Sequence, residues 1–252
     1  MNKLPQITLA FWVMKICATT LGETAGDLLS MTLNVGYAMS SLILISVFVL
    51  TLITQLMSKT YKPLLYWIVI LSTSTAGTTM SDFMDRTLEL GYATGSMILI
   101  AILLAIFAAW RLSGDSLNVT KVQSFRGEMF YWMAILFSNT LGTALGDYLA
   151  DDSGLGFAGG ALLIGSAIAV VVLLKYFTKI SSVALFWVAF VLTRPFGATL
   201  GDLMTKSHEK GGLDFGTIGS SAVLAGILLV MIVGASYAQK RYGGKQGVAE
   251  LS

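Results

Sequence analysis

The sequence predicts an all-α membrane protein with eight transmembrane helices, built from four parallel two-helix repeats with pseudo-symmetry about the membrane normal. Of its 252 residues, 55% are hydrophobic and 12% are charged, about half of the ~25% charged content of a soluble domain. Apolar runs of about 20 residues recur, which is the length a helix needs to cross ~30 Å of hydrocarbon. The runs lack the alternation of period two that a transmembrane barrel requires.

The apolar runs define the helices in order. They cover residues 7–29, 36–57, 63–84, 91–110, 128–149, 156–175, 181–204 and 215–237. Their pairs form the repeats 7–57, 63–110, 128–175 and 181–237 within a single membrane domain, 1–252. The first run follows a signal-like start, but it carries the repeat motif and no small-residue cleavage site, so we predict that it remains as a helix of the mature protein.

One motif recurs in every odd-numbered run: a Trp, a glycine ten residues later, a small residue four further on, and then an Asp. The tryptophans are Trp12, Trp67, Trp132 and Trp187, and the first glycines are Gly22, Gly77, Gly142 and Gly197. The tryptophans lie 55, 65 and 55 residues apart, which indicates a duplicated pair of repeats with a longer central connector at 111–126. In the fourth copy, the segment 206–216 contains a short insertion, which precedes the matching aromatic residue Phe215.

Basic residues predict the orientation. Two helices per repeat return the chain to its starting side, so the repeats are parallel. Eleven basic residues fall on the side of the termini: Lys3, Lys59, Lys62, Arg111, Lys121, Arg126, Lys175, Lys179, Lys240, Arg241 and Lys245. Only Arg86, Lys206 and Lys210 fall opposite. This asymmetry predicts cytoplasmic termini and places the four tryptophans at the cytoplasmic interface as anchors.

Small residues four apart predict close helix packing in both helices of each repeat. In the odd helices they belong to the motif. In the even helices the expected packing pairs are Gly36/Ser40, Gly91/Gly95, Gly156/Gly160 and Gly216/Ser220.

The motif aspartates predict a polar site inside the membrane. A carboxylate in hydrocarbon costs ~2.5–3.5 kcal/mol on insertion scales, so we expect these side chains to face the bundle interior. The competing interpretation is that each Asp caps a neighbouring helix or marks the outer interface. Glu23 shares a helix face with Asp27 and occurs only in the first repeat. The predicted cation- or substrate-binding residues are Glu23, Asp27, Asp82, Asp147 and Asp202, supported by Thr24, Thr78, Ser81, Asn139 and Arg194.

Two further charges fall inside predicted helices. An arginine at mid-membrane depth needs a carboxylate, and we expect Arg194 to pair with Glu23, with Asp202 as the alternative. Pro195 should kink or break its helix. Lys15 is expected to extend toward the cytoplasm, and the alternative is a buried titrating partner.

The ligand inventory favours a hard or borderline cation. Carboxylates and hydroxyls dominate, and the one histidine, His208, falls in a predicted loop, so zinc and copper fit poorly. Mg²⁺, Ca²⁺, Mn²⁺, Na⁺ and H⁺ fit better. Met80, Met84 and Met204 lie near the acids in sequence and shift the preference toward Mn²⁺.

The four repeats, with their Trp–Gly–Asp register, resemble a family of bacterial membrane proteins that is defined by this repeat and is of unknown function. The resemblance covers about residues 8–237 and implies a multi-pass protein of the bacterial inner (plasma) membrane. It implies no substrate, so function must be inferred from the residues.

From the residues, we expect a secondary transporter or exporter of a divalent cation, with Mn²⁺ favoured and proton exchange as the coupling. Its expected partners are then membrane lipid and a small cation or small-molecule substrate, with no nucleic acid and no cofactor. The sequence is compatible with an oligomer of this chain. The first alternative is a transporter of a small organic solute, in which Arg194 would hold an anionic group or the acids would hold an amine. A membrane-embedded enzyme ranks lower because no catalytic motif occurs, so we expect no enzymatic activity. A non-transporting scaffold is the remaining alternative.

Overall fold

The computed structural model describes residues 4–122 and 124–249, with side chains through residue 237. Eight long helices occupy this part of the chain: α1 (Leu9–Asp27), α2 (Tyr37–Met57), α3 (Pro63–Asp82), α4 (Tyr92–Leu112), α5 (Phe125–Asp147), α6 (Gly156–Phe177), α7 (Ser182–Thr205) and α8 (Thr217–Ala249). Of the basic residues that predict orientation, Lys3 lies outside the described residues, as do the side chains of Lys240, Arg241 and Lys245.

Five of the described helices are long and apolar enough to cross a membrane: α2, α4, α6, α7 and α8. Helices α1, α3 and α5 are of similar length, but the Thr, Ser and acidic residues around the motif lower their apolar character. The polar residues are therefore concentrated in the odd helices, and the even helices are apolar almost throughout.

The odd helices form an inner ring and the even helices pack outside it. Neighbours in the ring are α1–α3, α3–α5, α5–α7 and α7–α1, and each even helix packs on the odd helix that follows it, with α8 returning to α1. Only 17–33% of the apolar stretch of each even helix is buried, against 56% in α7. Their exposed side chains, such as Leu42, Leu104 and Leu162, give the apolar exterior expected of a membrane protein.

The motif glycines hold the ring together, as the sequence predicts. A Cβ on Gly22 would meet Ser74, and the same relation links Gly77 to Asn139, Gly142 to Arg194 and Gly197 to Thr19. Each glycine therefore receives the residue that stands three before the motif glycine of the next repeat. Because equivalent residues meet at all four contacts, the odd helices run parallel around one pseudo-fourfold axis.

The first glycines of the predicted even-helix pairs have a different role. Gly36, Gly91, Gly156 and Gly216 adopt φ values of 82°, 72°, 66° and 71°, and a Cβ at any of them would meet nothing within 4 Å. Their assignment as packing residues is wrong, because they provide the positive φ at which the chain reverses into the next helix. The second residue of each pair, such as Ser40 or Ser220, is buried.

The motif tryptophans are part of an aromatic layer that closes one end of the ring. The layer consists of Phe11, Trp12, Tyr66, Trp67, Tyr131, Trp132, Phe186 and Trp187. The residue before each Trp contacts the Trp of the next repeat, with ring centroids 5.6–6.0 Å apart in all four contacts. The Tyr66 and Tyr131 hydroxyls are also hydrogen-bonded at 2.7 Å.

The expectation of interfacial tryptophan anchors is wrong for three of the four. Trp67, Trp132 and Trp187 are 0–6% exposed, so they cannot lie against lipid headgroups. Burial of the large rings against one another outweighs the interfacial preference, because each ring removes more apolar surface from its surroundings in the core. Only Trp12 is half-buried.

The first three odd helices end in one π-helical turn directly after the motif Asp, at Leu28–Thr32, Phe83–Thr87 and Tyr148–Asp152. The fourth lacks this turn: α7 ends at Thr205, and a short 3₁₀ turn follows at His208–Lys210. The sequence insertion therefore changes the local backbone at this end of the fourth repeat.

Pro195 does not break α7, which is continuous through it. A proline removes one backbone donor and frees carbonyl groups in the preceding turn. The turn that contains the proline is also tied to α1, because the Thr19 hydroxyl donates to the Thr193 carbonyl at 3.1 Å.

Replacing Gly77 by Ala tests the ring packing, since its Cβ would lie 2.9 Å from the Thr140 backbone nitrogen. Backbone atoms cannot rotate away, so we expect a loss of about 1–3 kcal/mol in the free energy of unfolding, measured as a lower unfolding temperature in detergent. Gly226→Ala in α8 is the matched control, because nothing lies within 4 Å of its Cβ position and alanine favours helix. Equal unfolding temperatures for both variants would contradict the close approach.

Candidate acidic site

All five predicted acids are buried inside the ring, near the end opposite the aromatic layer. Glu23, Asp27, Asp82, Asp147 and Asp202 are each 3–4% exposed. Helix α1 rises about 24 Å between Phe11 and Asp27, at 1.5 Å per residue. The glycine contacts align the four odd helices, so their acids converge on the pseudo-fourfold axis.

Arg194 pairs with Glu23, which confirms the pair expected from the sequence. The Arg194 Nη2 lies 2.9 Å from Glu23 Oε2, and the arginine side chain is fully buried. The same Nη2 is 2.5 Å from the Thr78 hydroxyl and 2.7 Å from the Thr143 hydroxyl. Both hydroxyls also lie 3.3 Å from Glu23 Oε2, so side chains from all four repeats meet here.

Lys206 joins the aspartates of the first and fourth repeats. Its Nζ lies 2.6 Å from Asp27 Oδ2 and 3.0 Å from Asp202 Oδ1. The Lys206 side chain is 18% exposed, whereas both carboxylates are nearly inaccessible. The ammonium group therefore covers these two acids on the side away from the aromatic layer.

Arg86 does the same for the second and third repeats. Its Nε lies 3.0 Å from Asp82 Oδ1, and its Nη2 lies 3.2 Å from Asp147 Oδ2. The guanidinium carbon also lies 5.6 Å and 5.9 Å from the ring centroids of Tyr92 and Tyr37. At 32% exposure, Arg86 is the most accessible charge of the site.

Three of the acids form a cluster that could hold a metal ion. One carboxylate oxygen each from Glu23, Asp147 and Asp202 lies within 4.8 Å of the others. Asp27 and Asp82 lie beside this three-acid cluster and are linked to it through Lys206 and Arg86. The site is therefore one connected network across four repeats, with its densest negative charge at the cluster.

The charges of the network do not balance when all groups are ionised. Five carboxylates face three cations, so two negative charges are uncompensated. Uncompensated charge inside a protein is costly, and bound protons or a bound cation relieve it.

The five supporting residues divide into two groups. Thr78 and Arg194 contact Glu23, whereas Thr24, Ser81 and Asn139 bond elsewhere. Thr24 accepts from Ser221 at 2.8 Å, Ser81 donates to Asp85 at 3.2 Å, and the Asn139 amide nitrogen donates to Thr73 at 2.9 Å. These three stabilise neighbouring packing.

Lys15 does not extend to the cytoplasm, so that expectation is wrong. Its side chain is fully buried, its Nζ donates to Asn139 Oδ1 at 3.4 Å, and it lies 4.1 Å from the Phe190 ring centroid. The aromatic layer blocks the direct route to solvent at that end, and the amide and ring face stabilise the group where it is.

Sequence reasoning missed the roles of Arg86 and Lys206, which it placed in exposed connections. A signal was present: each follows a motif aspartate by four residues, as Asp82–Arg86 and Asp202–Lys206, the spacing that joins side chains on one helix face. The first and third repeats have no cation at that position, so the pattern is not fourfold. It also missed Thr143 as a partner of Arg194.

The chain matches the family described as Repeat of Unknown Function (DUF347) over residues 10–61, 65–116, 130–181 and 185–242. The match covers most of the chain, and the protein belongs to this family as a four-repeat member. Comparison with curated proteins and with solved structures finds no significant match.

Replacing Arg194 with Met tests the buried ion pair. The variant leaves Glu23 without its cation, and we expect a loss of about 3–5 kcal/mol in the free energy of unfolding. The double variant Arg194→Met/Glu23→Gln removes the stranded charge and should recover most of that loss, as read from unfolding temperatures in detergent. A double variant no more stable than the single one would show that Arg194 does not stabilise the protein through its ion pair with Glu23.

Proposed function

We propose that this member of the repeat family is a secondary transporter of a divalent cation, with protons as the exchanging ion. The observation that carries the proposal is the three-acid cluster of Glu23, Asp147 and Asp202, buried in a network with two uncompensated negative charges. Intramembrane acids that face a bundle interior are the usual components of ion pathways and proton relays.

The charge balance supports exchange of one divalent cation for two protons. Either load makes the network neutral, whereas a monovalent cation leaves one charge behind. An empty, fully ionised site is the unfavourable state, because two unpaired charges are then buried in a low-dielectric interior. Such a site releases one load when the other arrives, which is the property an exchanger requires.

The cluster geometry supports a hard cation with oxygen ligands. The three carboxylate oxygens all lie within 4.8 Å of one another, close enough to approach one cation such as Ca²⁺ or Mg²⁺, which bind oxygen at about 2.0–2.6 Å. The preference for Mn²⁺ rests on Met80, Met84 and Met204, which are half-buried. The three-acid cluster itself offers only oxygen ligands, so the preference for Mn²⁺ stays a prediction.

The ends of the ring differ in how they are closed. Tyr66, Trp67, Tyr131 and Trp132 seal one end at 0–1% exposure, whereas the part-exposed Arg86 and Lys206 cover the acids at the other. Moving two flexible cations opens the site with less rearrangement than separating the packed rings. In this conformation we assign access to the Arg86–Lys206 side, and alternating access then requires the aromatic layer to open.

In the membrane, we propose that all eight helices cross the bilayer, with the pseudo-fourfold axis along its normal. The even helices place apolar side chains toward lipid and enclose the more polar α1, α3 and α5. The start of α1 and the end of α8 lie on the side of the aromatic layer, and the distribution of basic residues favours the cytoplasm of a bacterial inner membrane for that side. The site then opens to the outside.

The anionic form of the organic-solute alternative loses its binding residue. Arg194 was its candidate for holding an anionic group, but this guanidinium is fully buried and already engaged by Glu23, Thr78 and Thr143.

Transport is tested in proteoliposomes with an imposed pH gradient. We expect uptake of Mn²⁺ or Ca²⁺ to be driven by protons, to be unaffected by the membrane potential because two charges move each way, and to fall about tenfold or more in Asp147→Asn and Asp202→Asn. Asp152→Asn is the matched control, since Asp152 lies in the π-helical turn that follows Asp147 but is exposed and is not part of the acidic network. No proton-driven flux of any divalent ion would refute the proposal.

Removing a cation should have the opposite effect from removing an acid. Lys206→Gln raises the uncompensated charge from two to three, so we expect the apparent affinity for a divalent ion to rise about tenfold or more through the added Coulomb attraction. Lys210→Gln, in the same connection but exposed, should leave it unchanged. Calorimetric titration of the purified protein with Mn²⁺ and Ca²⁺ measures both. Weaker binding in Lys206→Gln would contradict the charge balance on which the proposal rests.

A further inference from the structure

A groove on the outside of the ring, at the end with the aromatic layer, is independent of the acidic site. It has a volume of about 680 Å³, within the range of about 300–1,000 Å³ typical of small-molecule pockets. Its walls come from the start of α1, the end of α6, the start of α7 and residues 118–120 of the central connector. Most of the lining is apolar, including Trp12, Ile168, Val171 and Val172.

Comparison of the repeats explains why the groove exists. At the equivalent position around the ring, α4 fills the space next to Trp187 with Phe107 and Trp110, at centroid distances of 4.9 Å and 5.7 Å. Counting from the glycine that begins each even helix, the α6 residues at the same positions are Val172 and Lys175. Two aromatic rings are thus replaced by a small side chain and an exposed flexible one, which leaves Trp12 half-buried at the groove wall.

The charged group of the groove lies near the end of α6. Lys175 follows the apolar stretch of α6, and its Nζ donates to the Ser182 hydroxyl at 2.5 Å. Among the described residues, no acidic group lies within 4.0 Å of this ammonium. Thr8, Asn118 and Thr120 also line the groove. The groove therefore combines apolar walls with a lysine that has no acidic partner among the described residues. This combination matches a molecule with acyl chains and an anionic headgroup.

We propose that the groove binds one anionic phospholipid, with its phosphate at Lys175 and an acyl chain along Val171, Val172 and Trp12. Charge complementarity selects the anionic headgroup, and basic residues next to the bilayer are worth about 1 kcal/mol each toward such lipids. The site faces the surrounding lipid directly, so the occupant reaches it without crossing the protein. The equivalent site on α4 cannot bind lipid, because Phe107 and Trp110 occupy it.

The test is native mass spectrometry of the purified full-length chain with equal amounts of phosphatidylglycerol and phosphatidylcholine of matched acyl chains. We expect about a fivefold preference for phosphatidylglycerol, which is the ratio equivalent to ~1 kcal/mol. Lys175→Gln should lose the preference, and Lys179→Gln, which changes a nearby exposed lysine outside the groove, should keep it. A wild-type protein with no preference, or one whose preference survives in Lys175→Gln, would overturn the proposal.

A second pair of variants separates the groove from the general lipid surface. Val172→Phe restores the ring that α4 carries and should reduce binding of both lipids, whereas Val170→Phe adds the same ring to the same helix outside the groove and should not. Equal lipid binding by these two variants contradicts the assignment. Oleate is added as a competitor, and complete displacement of phosphatidylglycerol at equal concentration would assign the groove to a free fatty acid and overturn the choice of phospholipid.

Discussion

The close approach of the four odd helices at their motif glycines is the constraint on which the rest of the structure depends. Because each glycine accepts a side chain from the next repeat, the odd helices meet closely around the axis. The acidic residues of the motif, with Thr78 and Thr143, converge there and contact one another or the buried cations. With the polar faces satisfied inside, the even helices present apolar side chains outward. One packing relation, repeated four times, thus produces both a polar interior and an exterior suited to lipid.

The electrostatics of that interior follow from sequence differences among the repeats. Four equal aspartates around an axis would repel one another. Glu23 adds a fifth acid at the first repeat, and three cations, Arg86, Arg194 and Lys206, reduce the imbalance without removing it. The cations also differ in depth: Arg194 is fixed by Thr78 and Thr143 in the core, whereas Arg86 and Lys206 reach the acids from the accessible end. The fixed arginine thus stabilises the fold, and the two outer cations cover the acids at the accessible end.

Much of this arrangement could be predicted from the sequence, and the failures have physical causes. The eight helices, the ring contacts of the glycines and the Arg194–Glu23 pair follow from hydropathy, small-residue spacing and the cost of an unpaired charge in hydrocarbon. The tryptophans were misplaced because the same amphipathic ring suits both an interface and an aromatic core, and only the neighbouring Phe and Tyr residues decide between them. Lys15 was misplaced because its route to solvent is blocked by residues of other repeats. The first glycines of the even helices, such as Gly36, were misassigned because a backbone φ is not visible in a spacing pattern.

Several of the departures from fourfold symmetry, Glu23, Arg194 and Lys206, meet at one seam, between the fourth and first repeats. Covalent connectors join the first repeat to the second, the second to the third and the third to the fourth, but nothing covalent closes the ring between α7 and α1. At that seam the ion pairs Arg194–Glu23 and Lys206–Asp27 link the two repeats, and the Thr19 hydroxyl donates to the Thr193 carbonyl across it.

A ring built from a linear chain needs its closing interface to be specific, since loop length cannot fix it. Charged pairs supply that specificity better than apolar packing alone, because a misregistered ion pair strands a charge in a low-dielectric interior. The charges that close the ring are also those that surround the three-acid cluster, so the cation binding proposed for this cluster would act directly on the one interface that has no covalent link.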